Sequence, residues 1–249
     1  MMTTSDWILI EKMQTSDWVL ILSTITLAVT ALIAPHVYDW IKRKLYAPKL
    51  EIEFSHEPPY CHKTKLKAPK VLVINKGTGL PSKFPEFSAY YSRFIVHNKG
   101  KSQAKLCEAI LEELWIADSA GVFHKDENFS PVNLTWVGFK EQPYININPG
   151  RRIFCDIGHL SSPAYQKGFE LSQYVMISEE DQQKLKFFFG LLIKYFAQWD
   201  SLVPGNYKIK VVIYSENAEK CEKMFQINWS GEWKDTEEEM FRELVIKSL

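Results

Sequence analysis

The feature that most constrains this chain is a run of 21 residues without a formal charge, from Trp18 to Tyr38. A helix of this length spans about 30 Å, which is the thickness of the hydrocarbon core of a bilayer. Trp18 at one end, and Tyr38 and Trp40 at the other, are the aromatic residues typical of the membrane–water interface. The sequence therefore predicts one transmembrane helix over residues 18–41.

The charges that flank this run predict its orientation. The acidic side has Asp6, Glu11 and Asp17 with Lys12, and the basic side has Lys42, Arg43, Lys44 and Lys49 with Asp39 and Glu51. Positive residues remain on the cytoplasmic side of a membrane. We therefore expect an extracytoplasmic leader (residues 1–17), a basic juxtamembrane linker (residues 42–49) and a cytoplasmic domain (residues 50–249) at the cell membrane.

The interface residues of this anchor are expected to be Trp18, Tyr38, Trp40, Lys42, Arg43 and Lys44. The lipid bilayer is thus the first expected partner. Anionic headgroups are a further expected partner, because they attract basic residues beside a membrane at about 1 kcal/mol each.

Three other interpretations of the apolar run remain open. A cleaved signal peptide would need a positively charged segment before the run, whereas this one is acidic. The run could also be the buried helix of a soluble protein, or a signal-anchor that places the domain outside. In that last case the sequons at Asn128, Asn133 and Asn228 would become glycosylation sites.

Composition favours a β-rich domain after the anchor. Aromatic residues make up 14% of the chain, and aromatic side chains are enriched in strands. The formal net charge is zero, which gives no electrostatic footprint for nucleic acid. The four cysteines are widely spaced, which is typical of reduced thiols rather than of a disulfide scaffold.

Alternation of apolar and polar residues predicts most of the strands. The segments are Leu50–Phe54, Val71–Ile74, Ala89–His97, Leu106–Ala117, Leu134–Val137, Arg151–Ile157, Phe169–Ile177, Tyr207–Tyr214 and Lys223–Trp229. Of these, Leu106–Ala117 is ambiguous, because its composition suits a helix whereas its flanks favour the strand that we predict. The last two form a hairpin. The proline-rich stretch 56–70 is interpreted as a loop, and Phe187–Phe196 as a strand, with a helix as the alternative.

Two segments predict short helices. Ser178 begins an acidic stretch typical of a helix N-terminus. Near the end, Asp235 followed by Glu238 has the spacing of a capping box, and apolar residues then recur on one helical face up to Val245. We expect a short C-terminal amphipathic helix over 235–249.

These elements predict a mainly β protein: a transmembrane helix, then an antiparallel immunoglobulin-like β-sandwich with insertions and a short C-terminal helix. Phe94–Ala104 (FIVHNKGKSQA) resembles the V-x-N-x-G-x-x-x-A opening of CARDB-type immunoglobulin-like modules, and Pro204–Val211 (PGNYKIKVV) resembles their closing strand. The matches bracket about 120 residues, which implies insertions between them. The resemblance implies an interaction module without catalytic residues.

Candidates for chemistry are few. His56, Cys61 and His62 form one group of zinc-type donors, and Cys155, Asp156 and His159 another. Neither has the paired Cys spacing of a zinc site, so we expect no metal, no cofactor and no catalytic residue.

The expected function is that of a non-enzymatic interaction, sensor or effector module at the cytoplasmic membrane face, with a protein partner whose identity the sequence does not indicate. One alternative is an outward-facing adhesion or ligand-binding module. A second is an enzyme in which Cys155, Asp156 and His159 converge.

Overall fold

The computed structural model describes residues 15–67, 86–139, 142–163, 166, 185–192 and 201–249. The chain divides into two compact units, Met1–Ala47 and Pro48–Leu249. The leader up to residue 14, the predicted strands Val71–Ile74 and Phe169–Ile177, and the predicted helix start at Ser178 lie outside the described residues.

The first unit contains the helix α1 (Thr15–Tyr46). Its stretch Trp18–Lys42 is 25 residues long, has a mean hydropathy of 2.1, and is long and apolar enough to cross a membrane. The hydroxyl groups of Ser23 and Thr24 donate to the carbonyl of Leu20 at 2.9 and 2.7 Å, so these polar groups are satisfied within the helix. The side chains of this stretch are exposed, as on a lipid-facing helix.

The helix extends further than its apolar run. It continues through the basic residues to Tyr46, because no proline or glycine follows Pro35 within it. The predicted linker 42–49 therefore begins as the last turn of α1, and only Ala47, Pro48 and Lys49 separate the helix from the first strand.

Thirteen strands occur among the described residues of the second unit. They are β1 (Leu50–Glu53), β2 (Cys61–Lys67), β3 (Glu86–Asn98), β4 (Ala104–Ala117), β5 (Phe123–Lys125), β6 (Val132–Asn133), β7 (Ile145–Ile147), β8 (Arg152–Ser161), β9 (Phe187–Phe189), β10 (Ser201–Leu202), β11 (Gly205–Tyr214), β12 (Cys221–Trp229) and β13 (Leu244–Ser248). One short helix, α2 (Glu237–Glu243), lies between the last two strands.

The strands form two antiparallel sheets. Sheet 1 has the order β1–β3–β8–β9–β10, with β2 also paired to β3. Sheet 2 has the order β13–β12–β11–β4–β5, with β6 and β7 also paired to β4. This is the immunoglobulin arrangement, because β1, β3, β8 and β9 occupy the positions of strands A, B, E and D, and β4, β11 and β12 those of C, F and G. The predicted fold class is confirmed.

The core lies between the inner faces of the two sheets. Strand β11 shows why its sequence folds this way, since Tyr207, Ile209 and Val211 alternate with lysines and are buried. The Tyr207 hydroxyl donates to the carbonyl of Val203 at 3.0 Å. A tyrosine at the start of strand F that bonds to backbone just upstream is the tyrosine corner of immunoglobulin-like folds.

The stretch 56–70, expected to be a loop, contains a strand. Cys61–Lys67 pairs with β3 over its whole length, from Cys61–Ser92 to Lys67–Glu86. The prediction was wrong because the segment CHKTKLK lacks the apolar alternation of a half-buried strand. Lysines are common on edge strands, where they prevent pairing with other chains.

The C-terminal prediction was half right. The helix α2 begins after Thr236, whose hydroxyl accepts from the Glu239 amide at 3.3 Å, so the N-cap is Thr236 rather than Asp235. The helix ends at Glu243, and Leu244–Ser248 pairs with β12 as a strand. The alternating burial of Leu244 and Ile246 against sheet 2 outweighs the helical spacing of the apolar residues.

Two further predictions were right in part. The strand interpretation of Phe187–Phe196 is confirmed for Phe187–Phe189, and positions 193–196 lie outside the described residues. The segment predicted as strand Leu134–Val137 instead follows the short β6 and makes isolated bridges, Leu134 to Leu191 and Trp136 to Cys155.

Candidate functional site

The six predicted interface residues all lie on α1. Trp18 is 42% exposed, Tyr38 63% and Trp40 62%. The Lys42 ammonium lies 6.0 Å from the centroid of the Tyr38 ring, one helical turn earlier. Arg43 and Lys44 fall on the last turns of α1, and their side chains lie outside the described part of the structure.

The first group of zinc-type donors is used for packing. His56 contacts Cys61, with 3.6 Å from Nδ1 to Sγ, and its Nε2 lies 3.1 Å from the carbonyl of Phe241. His62 lies on the opposite face of β2 from Cys61. Burial raises the pKa of the Cys61 thiol to about 12, which disfavours its thiolate form.

The second group is divided between the two faces of β8. Cys155 is fully buried in the core, whereas Asp156, its neighbour, is on the outer face of sheet 1. Burial, and then the neighbouring Asp156 carboxylate, raise the pKa of the Cys155 thiol well above its usual value. The structure therefore does not bring Cys155, Asp156 and His159 together, because the Cys155 thiol points into the core and the Asp156 carboxylate lies on the outer face of sheet 1.

The structure brings together a different set of residues, a row of four rings across sheet 1. His62, Tyr91, His159 and Phe188 are register partners on β2, β3, β8 and β9. Their ring centroids are 6.2, 5.1 and 5.8 Å apart in that order, with interplanar angles of 21°, 18° and 26°. We call these four residues the ring row.

An ion pair lies beside the ring row. The Arg93 guanidinium is 4.9 Å from the centroid of the Tyr91 ring, and its Nε donates to Asp156 at 2.8 Å. Burial raises the pKa of the Asp156 carboxyl, against the opposing effect of Arg93. Burial and the Arg93 charge lower the pKa of His62, which favours the neutral imidazole.

The geometry of the ring row indicates packing rather than catalysis. The ring faces cover one another, so they are not available to stack on a ligand. In the part of the chain that the structure describes, no three His, Cys, Asp or Glu side chains form a metal-binding group. Sequence reasoning missed the row, because it depends on the register of four strands that are distant in the chain.

A buried asparagine connects the start of the domain to its turns. Asn98 is fully buried, and its Oδ1 accepts from the amides of Lys49 at 3.2 Å and Gly100 at 3.0 Å. Its Nδ2 donates to the carbonyls of Ser102 and Ile147, both at 2.8 Å. All four hydrogen-bonding positions of the amide are therefore occupied.

Comparison of the chain with family models, with curated proteins and with solved structures gives no match. The resemblance to CARDB-type modules therefore stays a prediction, and the function must be argued from the molecule itself.

Proposed function

We propose that this chain is a single-pass membrane protein whose β-sandwich acts at the cytoplasmic face of the cell membrane as a non-enzymatic interaction, sensor or effector module. The observation that carries the proposal is α1, with its exposed apolar stretch Trp18–Lys42 directly before the sandwich. A soluble protein would bury such a stretch, since exposing it to water is unfavourable.

The flanking charges support the cytoplasmic side. Lys42, Arg43 and Lys44 follow the apolar stretch, and acidic residues precede it. The four cysteines are free, and three of them are buried. Unpaired thiols are typical of a reducing compartment.

The sequons give little support to the outward-facing alternative. The Asn133 amide donates to Glu108 at 2.6 Å, and Asn228 accepts from Gln226 at 3.1 Å, both within sheet 2. Asn128 is exposed in a turn and is the one of the three that a glycan could reach without disrupting a strand.

The chemistry of the described side chains supports an interaction role. Burial raises the pKa of every cysteine thiol, and the Cys155 thiol and the Asp156 carboxylate lie on opposite faces of β8. We infer that the sandwich acts by binding, with an unidentified protein as its partner and the bilayer as its support.

The experiment that tests the proposal maps topology in intact cells. The full chain carries an epitope tag after Leu249, and cells are treated with protease before and after permeabilisation. We expect the protein to stay in the membrane fraction after carbonate extraction. We also expect the protease to cleave the tag only after the cells are permeabilised. Cleavage in intact cells, or glycosylation at Asn128, would support the outward-facing adhesion module and contradict the cytoplasmic one.

A further inference from the structure

The strand β13 is at one end of the strand order of sheet 2, so one of its edges has no neighbouring strand among the described residues. The Leu249 amide, just after β13, donates to the carbonyl of Met224 on β12. Amides an odd number of residues apart point to opposite edges of a strand, and the Ile246 amide donates to Nδ1 of His56 at 3.5 Å. A histidine side chain therefore covers the edge where a further strand would pair.

The hydrogen bonds of His56 determine which ring nitrogen carries the proton of the neutral imidazole. Nε2 lies 3.1 Å from the carbonyl of Phe241, which can only accept, so Nε2 is the donor. Nδ1 then has a lone pair that accepts from the Ile246 amide and from the Cys61 thiol, 3.6 Å away. Burial raises the pKa of Cys61 to about 12, which disfavours its thiolate and leaves the thiol as a donor.

These contacts join parts of the sandwich that are distant along the chain. His56 lies in the loop 54–60 between β1 and β2 of sheet 1, whereas Phe241 is on α2 and Ile246 on β13 of sheet 2. The His56 and Phe241 rings also pack, with their centroids 5.1 Å apart. One side chain thus holds a loop of sheet 1 against the outer edge of sheet 2. We call His56 with Cys61, Phe241 and Ile246 the edge lock.

The edge lock contains no carboxylate that could balance a charge on the His56 ring. In the part of the chain that the structure describes, the ring bonds only to a thiol, a carbonyl and an amide. The titratable side chains on the surrounding elements have other partners: Glu57 bonds to Ser55, Tyr60 to Arg152, His62 to Arg93, Glu237 to Lys63, Glu238 to Arg242, Glu239 to Thr236 and Glu243 to Ser230. Lys65 on β2 and Lys247 on β13 are exposed.

A second proton on the ring is incompatible with this arrangement. It would bind to Nδ1 and remove the lone pair that accepts from the Ile246 amide and the Cys61 thiol. Three donors would then face one another, and a partly buried imidazolium would have no counter-charge, both of which are unfavourable. Histidine is the side chain whose charge ordinarily changes between pH 5 and 8.

We propose that the edge lock is a proton sensor, in which a second proton on His56 releases the loop 54–60 and uncovers the outer edge of β13. An uncovered strand edge is a surface to which an extended segment of a partner protein can add. The inference rests on the proposed function, since it names a signal for a sensor and interaction module. The response of the edge lock itself does not depend on the side of the membrane on which the sandwich lies.

The test measures hydrogen exchange of the Ile246 amide by nuclear magnetic resonance. The full chain is kept in detergent and labelled with ¹⁵N-isoleucine, and the loss of one signal in Ile246→Val identifies the amide. Ile209 is the internal reference, because it lies on β11, which is paired on both sides by β12 and β4. The intrinsic exchange rate changes with pH in the same way for both amides, so the ratio of their rates reports the opening of the edge lock.

Exchange at Ile246, relative to Ile209, should rise about tenfold between about pH 7.5 and about pH 5.5. The reason is that an imidazole free in water has a pKa of about 6.5, so at about pH 5.5 it is protonated about ten times more often than it is neutral. Since the closed edge lock holds the neutral ring, each further proton bound in the open state favours opening.

Two replacements of His56 remove the proton and keep a hydrogen-bonding group. His56→Asn offers an uncharged amide oxygen near the position of Nδ1, so its exchange ratio should be the same at both pH values. His56→Gln, which offers a longer amide, gives the same comparison if His56→Asn does not fold. His124→Gln is the matched control, because His124 is exposed and contacts Asp118 at 2.9 Å, and it should keep the tenfold rise.

Three results would overturn the proton sensor: an exchange ratio that does not change with pH, a rise that persists in both His56 variants, or ring nitrogen shifts that place the neutral proton on Nδ1. Each of them leaves the anchor and its orientation intact, because carbonate extraction and protease accessibility decide those. Conversely, a tag that is cleaved in intact cells contradicts the cytoplasmic module but leaves the response of His56 to protons unchanged.

Discussion

At the scale of the residue, the two motifs that resemble immunoglobulin-like modules have physical explanations. In the first, Asn98 occupies a fully buried position where its amide makes four hydrogen bonds. In the second, Tyr207 is the residue of the tyrosine corner. Each motif residue therefore fixes a connection between a strand and a turn, which is a requirement of the fold and not of any chemistry.

Replacement of Asn98 by alanine should be one of the most destabilising changes of a polar residue. The variant removes four hydrogen bonds and leaves the buried carbonyl of Ile147 and the partly buried groups of Lys49, Gly100 and Ser102 without this partner, so we expect a loss of about 3 kcal/mol in the free energy of unfolding. Denaturant unfolding of the full chain in detergent measures this loss in the free energy of unfolding. Asn206→Ala is the control, since Asn206 is exposed, and an equal loss in both variants would contradict the role of Asn98.

Glu53 should make stability depend on pH. His97 at 3.0 Å, and then Arg152 at 2.5 Å, hold the pKa of this carboxyl below its usual value. Because the folded-state pKa lies below the unfolded value of about 4.5, Glu53 stabilises the fold above that pH. The contribution is then lost as the pH falls through the lowered folded-state value.

The measurement compares Glu53→Gln with the unaltered chain across pH. We expect the variant to be less stable by about 1 kcal/mol at neutral pH, with a difference that disappears below the folded-state pKa of Glu53. Glu219→Gln, an exposed glutamate, should show no such difference. A difference for Glu53→Gln that is constant down to strongly acidic pH would show that the carboxylate charge is not responsible.

At the scale of the element, the sequence predicted those strands whose two faces differ in polarity. Tyr207–Tyr214 alternates apolar and polar residues because one face of sheet 2 meets the core, and this strand is confirmed. Leu106–Ala117, whose composition also suits a helix, is confirmed as a strand as well. β2 was missed because its lysines hide the strand period. β13 was missed because the spacing of its apolar residues also fits a helix, and only pairing with β12 decides between the two.

The short helix α2 should depend on its N-cap. Seven residues are too few for a stable isolated helix, and the Thr236 side chain satisfies the Glu239 amide. Thr236→Ala should therefore cost about 1 kcal/mol, whereas Thr236→Ser, which keeps the hydroxyl, should cost little. Thermal unfolding of both variants gives the comparison, and equal losses would show that the methyl group, not the cap, is what matters.

At the scale of the whole molecule, the positions of its surfaces could not be predicted from the sequence. The ring row joins residues as far apart in the chain as His62 and Phe188 through the register of four strands. Asn98 similarly joins three segments of the chain, through its hydrogen bonds to Lys49, Ser102 and Ile147. Local patterns indicate which residues are strands, but register and strand order arise from packing of the whole domain.

The orientation of the anchor should follow the charges beside it. Replacing Lys42, Arg43 and Lys44 by Gln, together with Asp6→Lys and Glu11→Lys, moves the positive charge from one flank of the apolar stretch to the other. Because positive residues resist translocation, we expect a large fraction of this variant to place the C-terminal tag outside the cell. Protease accessibility in intact cells measures that fraction.

The matched control exchanges Lys63 and Lys65 for Gln, which lowers the total positive charge of the sandwich without changing the flanks and should leave the tag protected. An unchanged orientation of the charge-exchanged variant would mean that the folded domain, rather than the flanking charge, determines the side of the membrane on which the sandwich lies.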